Sequence, residues 1–183
     1  MKTMKDILHQ YYGLKDAQIS LVHEEEAIPY IQALIAMSKF EMIVEFGTSW
    51  GGFTLVLHEA SPESIIHTFD NDNSRNVNYG WFERNTSNIL FYKPVDLLKK
   101  PHKVVVELLE NPKYKLLYCD NGNKPKEIEM YAKYLNSGDV IGVHDYGYEY
   151  EEEEVDKHLE KFIWEPYYHE ILSDWSTRFW RKK

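Results

Sequence analysis

Hydrophobic positions along the chain follow two spacings, and the change from one to the other predicts where helices give way to strands. Helical spacing dominates the first forty residues, with one predicted helix around residues 7–12 and a second over residues 24–39. From residue 42 onward, short β-rich runs alternate with helical segments. The predicted strands cover residues 42–46, 65–69, 89–92, 115–119 and 140–143. The helices between them cover residues 53–59, 74–84, 104–110 and 126–135.

This regular alternation predicts a parallel sheet with helices on both faces. An acidic stretch then begins a further predicted helix, which runs to about residue 162, and two aromatic strands near residues 167–172 and 177–181 close the chain. No helix fits between these last two strands, so they should form a hairpin that places one antiparallel strand in the sheet. We therefore expect a single domain over residues 1–183, with N-terminal helices in residues 1–40 and an α/β core in residues 41–183.

The composition suits one globular domain, because 43% of the 183 residues are hydrophobic and 28% are charged. The formal net charge of -9 argues against nucleic-acid partners and anionic membranes. The single cysteine, Cys119, excludes an internal disulfide and a thiolate zinc cluster, so the expected compartment is the reducing cytoplasm. The polar start indicates no signal peptide, and no stretch approaches the roughly 18 apolar residues of a membrane span.

Acidic side chains follow each of the five predicted parallel strands, at the sheet edge where open α/β sheets bind their ligands. These residues are Glu45 at the end of the first strand, Asp70 and Asp72 after the second, Asp96 after the third, Asp120 after the fourth, and His144 with Asp145 after the fifth. Packing alone does not explain such a concentration of carboxylates. The sequence therefore predicts a binding site at the carboxyl ends of these strands.

A glycine-rich turn follows the first strand and lets the backbone approach a ligand closely. Its spacing departs from the dinucleotide pattern G-x-G-x-x-G, because Ser49 stands in place of the second glycine. A pyrophosphate there would lie among Glu45, Asp70 and Asp72 with no Arg or Lys in the loop, which is electrostatically unfavourable. A ligand with a sulfonium and an ammonium group would instead be attracted. Asp70 is spaced to accept hydrogen bonds from a ribose diol, and Asp96 from an adenine amino group.

These motifs resemble those of class I S-adenosylmethionine (SAM)-dependent methyltransferases. The run Glu45-x-Gly47-x-Ser49-x-Gly51 is similar to their first motif, E/D-x-G-x-G-x-G, with serine at the middle glycine. A branch that methylates small molecules also ends its fourth strand in an Asp-Gly-Gly-His-like turn and its fifth in His-Asp-Tyr. The corresponding segments here are residues 120–123 and 144–146, where Asn123 replaces the histidine, and the resemblance spans about residues 41–147.

The resemblance implies a Rossmann-like sheet of seven strands, mostly parallel with one antiparallel strand, and helices on both faces. It implies methyl transfer from SAM to a small-molecule acceptor, with oxygen favoured over nitrogen. Asp70 would hold the ribose, Asp96 would lie near the adenine, and Asp120 would face both the cofactor and the acceptor. The methionine part of SAM would be held by Glu45, Gly47, Ser49 and Gly51, and Thr48 and Trp50 of the same turn would also bind the cofactor.

Two catalytic interpretations remain open for Asp120, His144 and Asp145. In the first, which follows the metal-dependent O-methyltransferases of this fold, Asp120 and Asp145 bind Mg²⁺ or another divalent ion. The ion would lower the pKa of the acceptor hydroxyl and orient it. In the second, no metal is present and His144 acts as the general base.

Other functions also remain open at this point. One is a nucleotide-binding oxidoreductase or a sugar-nucleotide enzyme on a Rossmann-like sheet. Another is a module that binds SAM without catalysis, which Asn123 and the short chain keep possible. The core leaves no residues for a large lid, so the acceptor cleft is expected to be open or completed by a second subunit in a homodimer.

Overall fold

The computed structural model of the protein describes residues 26–71, 77–165, 172 and 175–183. The helix predicted around residues 7–12, the residue Asp72 and nearly all of the strand predicted at residues 167–172 lie outside these ranges. Seven strands are described: β1 (Met42–Phe46), β2 (Ile65–Phe69), β3 (Ile89–Tyr92), β4 (Lys115–Cys119), β5 (Val140–Val143), β6 (Phe162–Trp164) and β7 (Arg178–Lys182). The helices are α1 (Ile28–Ser38), α2 (Gly52–Ala60), α3 (Tyr79–Asn85), α4 (Lys103–Glu110), α5 (Lys124–Tyr131) and α6 (Glu152–Asp156), and a 3₁₀ turn, Ala132–Tyr134, continues α5.

The strands form one sheet in the order β3-β2-β1-β4-β5-β7-β6. The pairs among β1 to β5 are parallel, whereas β7 runs antiparallel to both of its neighbours. Phe46 is in register with both Phe69 and Cys119, and Cys119 is in register with Val143. The carboxyl ends of the four central strands, β1, β2, β4 and β5, therefore lie at the same level, at one edge of the sheet. The predicted Rossmann-like sheet with a single antiparallel strand is confirmed.

Two hydrophobic clusters cover the two faces of this sheet. All five residues of β1 are buried, as expected for a central parallel strand. Ile43 belongs to the cluster under α1 and α2, and its neighbour Val44 belongs to the cluster under α4 and α5, because successive side chains of a strand point to opposite faces. Cys119 is buried in the second cluster. No helix in the described part of the chain is long and apolar enough to cross a membrane.

The C-terminal edge differs from its prediction. The helix expected to reach residue 162 ends at Asp156, and Phe162–Trp164 is strand β6. The reason is packing: Phe162 is buried, Ile163 is exposed, and the ring of Trp164 stacks on that of Trp180 in β7 at 4.7 Å. This alternation is the pattern of a strand with one covered face. Strand β7 is antiparallel as expected and pairs with residues 162–164, whereas nearly all of the strand predicted at residues 167–172 lies outside the described residues.

Candidate functional site

The glycine turn after β1 presses its backbone against the end of β4. Gly47 has φ +97°, and a Cβ atom there would lie 2.2 Å from the carbonyl oxygen of Asp120. Gly51 has φ +80° and caps α2, and a Cβ there would lie 2.8 Å from the ring of Phe82. Both positions therefore require glycine for their conformation and for the space. Ser49, at the family's middle glycine, also has a positive φ of 49°.

Glu45 is the buried acid beneath this turn. The Thr54 hydroxyl donates to its Oε2 at 2.6 Å, while Oε1 has no hydrogen-bond partner among the residues that the structure describes. Burial raises the pKa of Glu45 to about 8, since Thr54 offsets only part of the effect and the negative charges of Asp120 and Asp70 add to it. The carboxyl group thus has one oxygen without a hydrogen-bond partner among the described residues. Its ionisation is unfavourable unless a cation lies close to it.

Asp70 joins the end of β2 to the same turn. The backbone N–H of Ser49 donates to Asp70 Oδ2 at 2.6 Å, and the residue is buried. Beside it, the hydroxyl groups of Thr48 and Thr68 lie 2.6 Å apart, which connects the turn to β2 a second time. Trp50 is half-buried at the top of the turn. The structure therefore brings Glu45, Asp70 and the glycine turn together as predicted from the sequence.

Asp96 has a different local role from the one expected. Its side chain is exposed, and its Oδ1 accepts hydrogen bonds from the backbone N–H groups of Leu98 at 3.0 Å and Lys99 at 3.1 Å. This is a local turn in which an aspartate satisfies the following backbone. An adenine contact by Asp96 stays a prediction that these bonds do not support.

Lys124, which the sequence analysis did not single out, lies at the centre of the charged groups after β4 and β5. Its Nζ is 2.6 Å from Asp145 Oδ2, 2.7 Å from Glu149 Oε2 and 3.4 Å from Asp120 Oδ1, and its side chain is only 4% exposed. Burial alone would lower the pKa of Lys124, but hydrogen bonds to Asp145 and Glu149 outweigh it and raise the pKa above the usual lysine value. The ammonium group therefore stays charged. In the sequence, the i, i+4 spacing of Asp120 and Lys124 was the signal that could have indicated this ion pair.

His144 lies between the same carboxylates. Its Nδ1 is 3.2 Å from Asp120 Oδ1 and 3.1 Å from Asp145 Oδ2. Burial alone would lower the pKa of His144, but the hydrogen bonds and negative charges of Asp120 and Asp145 outweigh it and raise the pKa to about 10. The same contacts hold the pKa of Asp145 far below its usual value, against the effect of burial. The raised pKa favours the imidazolium at neutral pH and does not support His144 as the general base, a role that stays a prediction.

The donor set was also expected to bind a divalent ion through Asp120 and Asp145. Ligand atoms of Asp120, His144 and Asp145 do lie within 4.8 Å of one another. However, the Lys124 ammonium already contacts the two carboxylates that an ion would need, and two cations so close together repel strongly. The residues present therefore do not fit a divalent metal.

Glu127 is another residue of this region that the sequence analysis did not single out. It is fully buried on α5, and its Oε2 accepts from the backbone N–H of Asn121 in the turn after β4 at 3.4 Å. Burial raises the pKa of Glu127 to about 8, against the lowering effect of the Asn121 contact and of Lys124. A lone glutamate on a helix face carries no clear signal of this kind in the sequence. Its contacts support the turn that presents Asp120.

Solved O-methyltransferases share this architecture. TomG from Streptomyces achromogenes, in complex with SAM, is 13% identical with a TM-score of 0.57, and the match covers 98% of this chain and 89% of TomG. This is the methyltransferase fold. The O-methyltransferase from Bacillus cereus, in complex with S-adenosylhomocysteine (SAH), is 16% identical with a TM-score of 0.59, and the match covers 98% and 90% of the two chains. SAH-bound PaMTH1 from Podospora anserina is 10% identical with a TM-score of 0.65, over 98% and 87%.

Sequence comparison alone does not detect this similarity. No protein-family model matches the chain, and no curated protein matches its sequence. At identities this low, the structural likeness establishes the methyltransferase fold and leaves the chemistry to be argued from the residues themselves.

Proposed function

We propose that this protein transfers a methyl group from SAM to an oxygen atom of a small-molecule acceptor. The observation that carries the proposal is the buried Glu45 Oε1 without a hydrogen-bond partner among the described residues, because Glu45 lies at the end of β1 just before the glycine turn, at the ligand-binding edge of a methyltransferase-fold sheet. A buried carboxylate with a free oxygen is suited to a cationic ligand and unsuited to a pyrophosphate. The SAM and SAH bound to structural neighbours agree with this preference.

The chain's own groups suit the parts of this cofactor. Glu45 would accept a hydrogen bond from its α-ammonium group, and the turn that Gly47 allows to pack against the end of β4 would hold its methionine part. Asp70, which already orders the turn through Ser49, would hold the ribose. When bound, SAM supplies an electrophilic methyl group that moves in line to the acceptor as its bond to sulfur breaks.

The structural neighbours support an acceptor oxygen over a nitrogen, since TomG and the Bacillus cereus protein are O-methyltransferases. Holding the acceptor oxygen in line with the methyl group is the larger part of the catalytic task. The charges of Lys124 and His144 are balanced by Asp120, Asp145 and Glu149, so these cations act on the acceptor only through the carboxylates that they hold.

Two further expectations belong to the same proposal. A cytoplasmic location is supported by the one cysteine of the sequence, Cys119, which is a buried free thiol. A second copy of the chain that completes the acceptor cleft is also part of this proposal. Analytical ultracentrifugation with and without SAH tests the second expectation.

Thermal unfolding with a panel of ligands tests the function. SAH at 100 times its dissociation constant should add about 2.7 kcal/mol of stability, which is roughly 5–10 °C for a domain of this size. NAD and a sugar nucleotide should give no shift. The shift should be lost in Glu45→Ala and kept in the control Glu63→Gln, whose side chain lies in an exposed turn at the other edge of the sheet. Stabilisation by NAD but not by SAH would reject the proposal.

A screen of metabolite mixtures with labelled SAM then separates an enzyme from a module that only binds the cofactor. Transfer of label to a small molecule supports catalysis, and the products identify the acceptor class. Tight SAH binding with no labelled product from broad mixtures of phenols, acids and amines would favour the binding module.

A further inference from the structure

The Lys124 side chain reaches from the first turn of α5 into the space between the ends of β4 and β5. Its three carboxylate contacts come from three parts of the fold. Asp120 is the first residue after β4, Asp145 follows β5, and Glu149 belongs to the loop that leads to α6. The ammonium group donates hydrogen bonds to Asp145 and Glu149, and it forms a longer ion pair with Asp120. Because the side chain is only 4% exposed, the charge is held in place rather than solvated.

Lys124 Nζ contacts Asp120 and Asp145, the two residues that were expected to bind a divalent ion. Without Lys124, the side chains of Asp120, His144, Asp145 and Glu149 would form an oxygen- and nitrogen-rich pocket of the kind that divalent ions prefer. Asp145 also adopts a left-handed backbone conformation with φ +58°, which aspartate tolerates better than most residues. In this conformation the Asp145 carboxylate contacts both Lys124 and His144.

We propose that the Lys124 ammonium is a built-in replacement for a divalent metal ion in this methyltransferase-fold site. It neutralises and orients Asp120 and Asp145, so that the protein neither binds nor requires a metal there. Lys124 is thus a positioning residue that acts through the two carboxylates. The proposal deepens the proposed function, since the methyl-transfer site it describes is the same one. Its decisive readout, metal binding, does not depend on methyl transfer.

Electron paramagnetic resonance of Mn²⁺ is the direct test, because free and protein-bound Mn²⁺ give different signals. The wild-type protein should show no saturable Mn²⁺ site that is lost in Asp145→Asn. Lys124→Met keeps most of the apolar stem but removes the charge, and it should bind one Mn²⁺ at least about tenfold more tightly than the wild type does. The double variant Lys124→Met with Asp145→Asn should lose that site again.

Lys126→Met is the matched control. Lys126 lies on the same helix, but it pairs with Glu129 at 2.7 Å and both side chains are about half-exposed at 45% and 48%. This variant should behave as the wild type does towards Mn²⁺. A purely structural role for Lys124 predicts that its loss weakens the fold without creating a metal site.

Each outcome decides the question. A wild-type Mn²⁺ site that disappears in Asp145→Asn overturns the proposal, and this arm needs no Lys124 variant to fold. A folded Lys124→Met protein that still binds no Mn²⁺ also overturns it. If methyl transfer is found, EDTA should leave the wild-type rate unchanged, whereas Lys124→Met should lose activity and recover part of it with Mn²⁺. If no methyl transfer is found, the proposed function fails while the binding data still decide the role of Lys124.

Discussion

Glu45 shows how one residue couples protonation to ligand binding. Its carboxyl group is fully buried and its pKa is raised by that burial to about 8, above the ordinary value of 4.5. The raised value means that the ligand-free fold prefers the neutral acid, so the stability linked to this group is present below pH 4.5 and is lost as pH rises through 8. A cationic ligand reverses the preference because it interacts with the ionised form.

We therefore expect the affinity for SAM to rise with pH between about 6 and 8, by up to about tenfold per unit, and to level off above the pKa of Glu45. Titration calorimetry at pH 6, 7 and 8 in buffers of different ionisation enthalpy measures both the affinity and the released proton. Glu45→Gln should bind SAM more weakly and remove most of this slope. Identical slopes in the two proteins would show that Glu45 keeps its charge throughout.

The same residue makes a prediction for the ligand-free protein. The free energy of unfolding of Glu45→Gln, relative to the wild type, should increase as pH rises from 5 to 8, because only the wild type must ionise a buried group. The expected gain is about 3–4 kcal/mol by pH 8. Urea unfolding at several pH values provides the measurement, and a difference that stays constant with pH would contradict the assignment.

Gly47 and Gly122 illustrate two reasons why glycine is needed at this edge of the sheet, namely backbone conformation and lack of space for a Cβ atom. Both have positive φ, +97° and +87°, but a Cβ on Gly47 would meet the Asp120 carbonyl at 2.2 Å while a Cβ on Gly122 would meet nothing within 4 Å. Gly122→Ala should therefore cost about 1 kcal/mol for its backbone alone. Gly47→Ala should cost about 3 kcal/mol and abolish SAH binding. Equal losses in urea unfolding would mean that the turn moves freely away from β4.

At the scale of elements, a buried ion pair joins the starts of β4 and β5. Lys115 Nζ lies 2.6 Å from Asp139 Oδ2, and the two side chains are 0% and 3% exposed. Asp139 also accepts from the backbone N–H groups of Lys115 at 3.2 Å and Asn136 at 2.7 Å. One carboxylate thus holds the first residue of β4 and the turn that precedes β5. This contact lies at the opposite edge of the sheet from the site.

Asp139→Asn should destabilise the protein by about 3–5 kcal/mol, because it leaves the buried Lys115 ammonium without a charged partner. Glu107→Gln is the control, since Glu107 forms an i, i+4 pair with Lys103 in which the side chains are 60% and 88% exposed. The control should change the free energy of urea unfolding by less than about 0.5 kcal/mol. SAH affinity should stay unchanged in any Asp139→Asn protein that folds, which distinguishes a structural effect from one on the site.

Element boundaries also show how far local sequence information reaches. The first five strands have the predicted bounds, because each is a short apolar run ended by a turn residue or a charged group. Helix α5 begins two residues earlier than expected, since Asn123 caps it by accepting from the N–H of Lys126. The sequence predicted a helix up to about residue 162 and no strand over residues 162–164, because the identity of β6 depends on the stacking of Trp164 against Trp180 in β7.

For the whole molecule, the net charge of -9 should act on charged ligands from a distance. SAM carries a sulfonium charge that SAH lacks, so a negative protein field attracts SAM more strongly. We expect the dissociation constant of SAM to rise between 20 and 300 mM NaCl by a factor of about 2–5 more than that of SAH. Calorimetry of both ligands over this range tests the effect. Parallel salt dependences would show that only local groups govern the preference.

Several features of the protein follow from the sequence alone. The alternation of apolar runs and helical segments determines a parallel sheet, and the residues that end the strands determine an acidic edge. The position of Glu45, Asp70, Asp120 and Asp145 at that edge follows directly, because the carboxyl ends of neighbouring parallel strands meet there. These properties depend on periodicity and order, which a linear pattern contains.

Only the tertiary structure decided what those acids contact and whether they are charged. The sequence suggested a metal or a histidine base, whereas the fold places Lys124 among three carboxylates and favours the imidazolium form of His144. It also buries Glu45 and Glu127 deeply enough to raise both pKa values to about 8. The physical reason is that burial and Coulomb interaction depend on distances between segments far apart in the chain, and packing alone determines those distances.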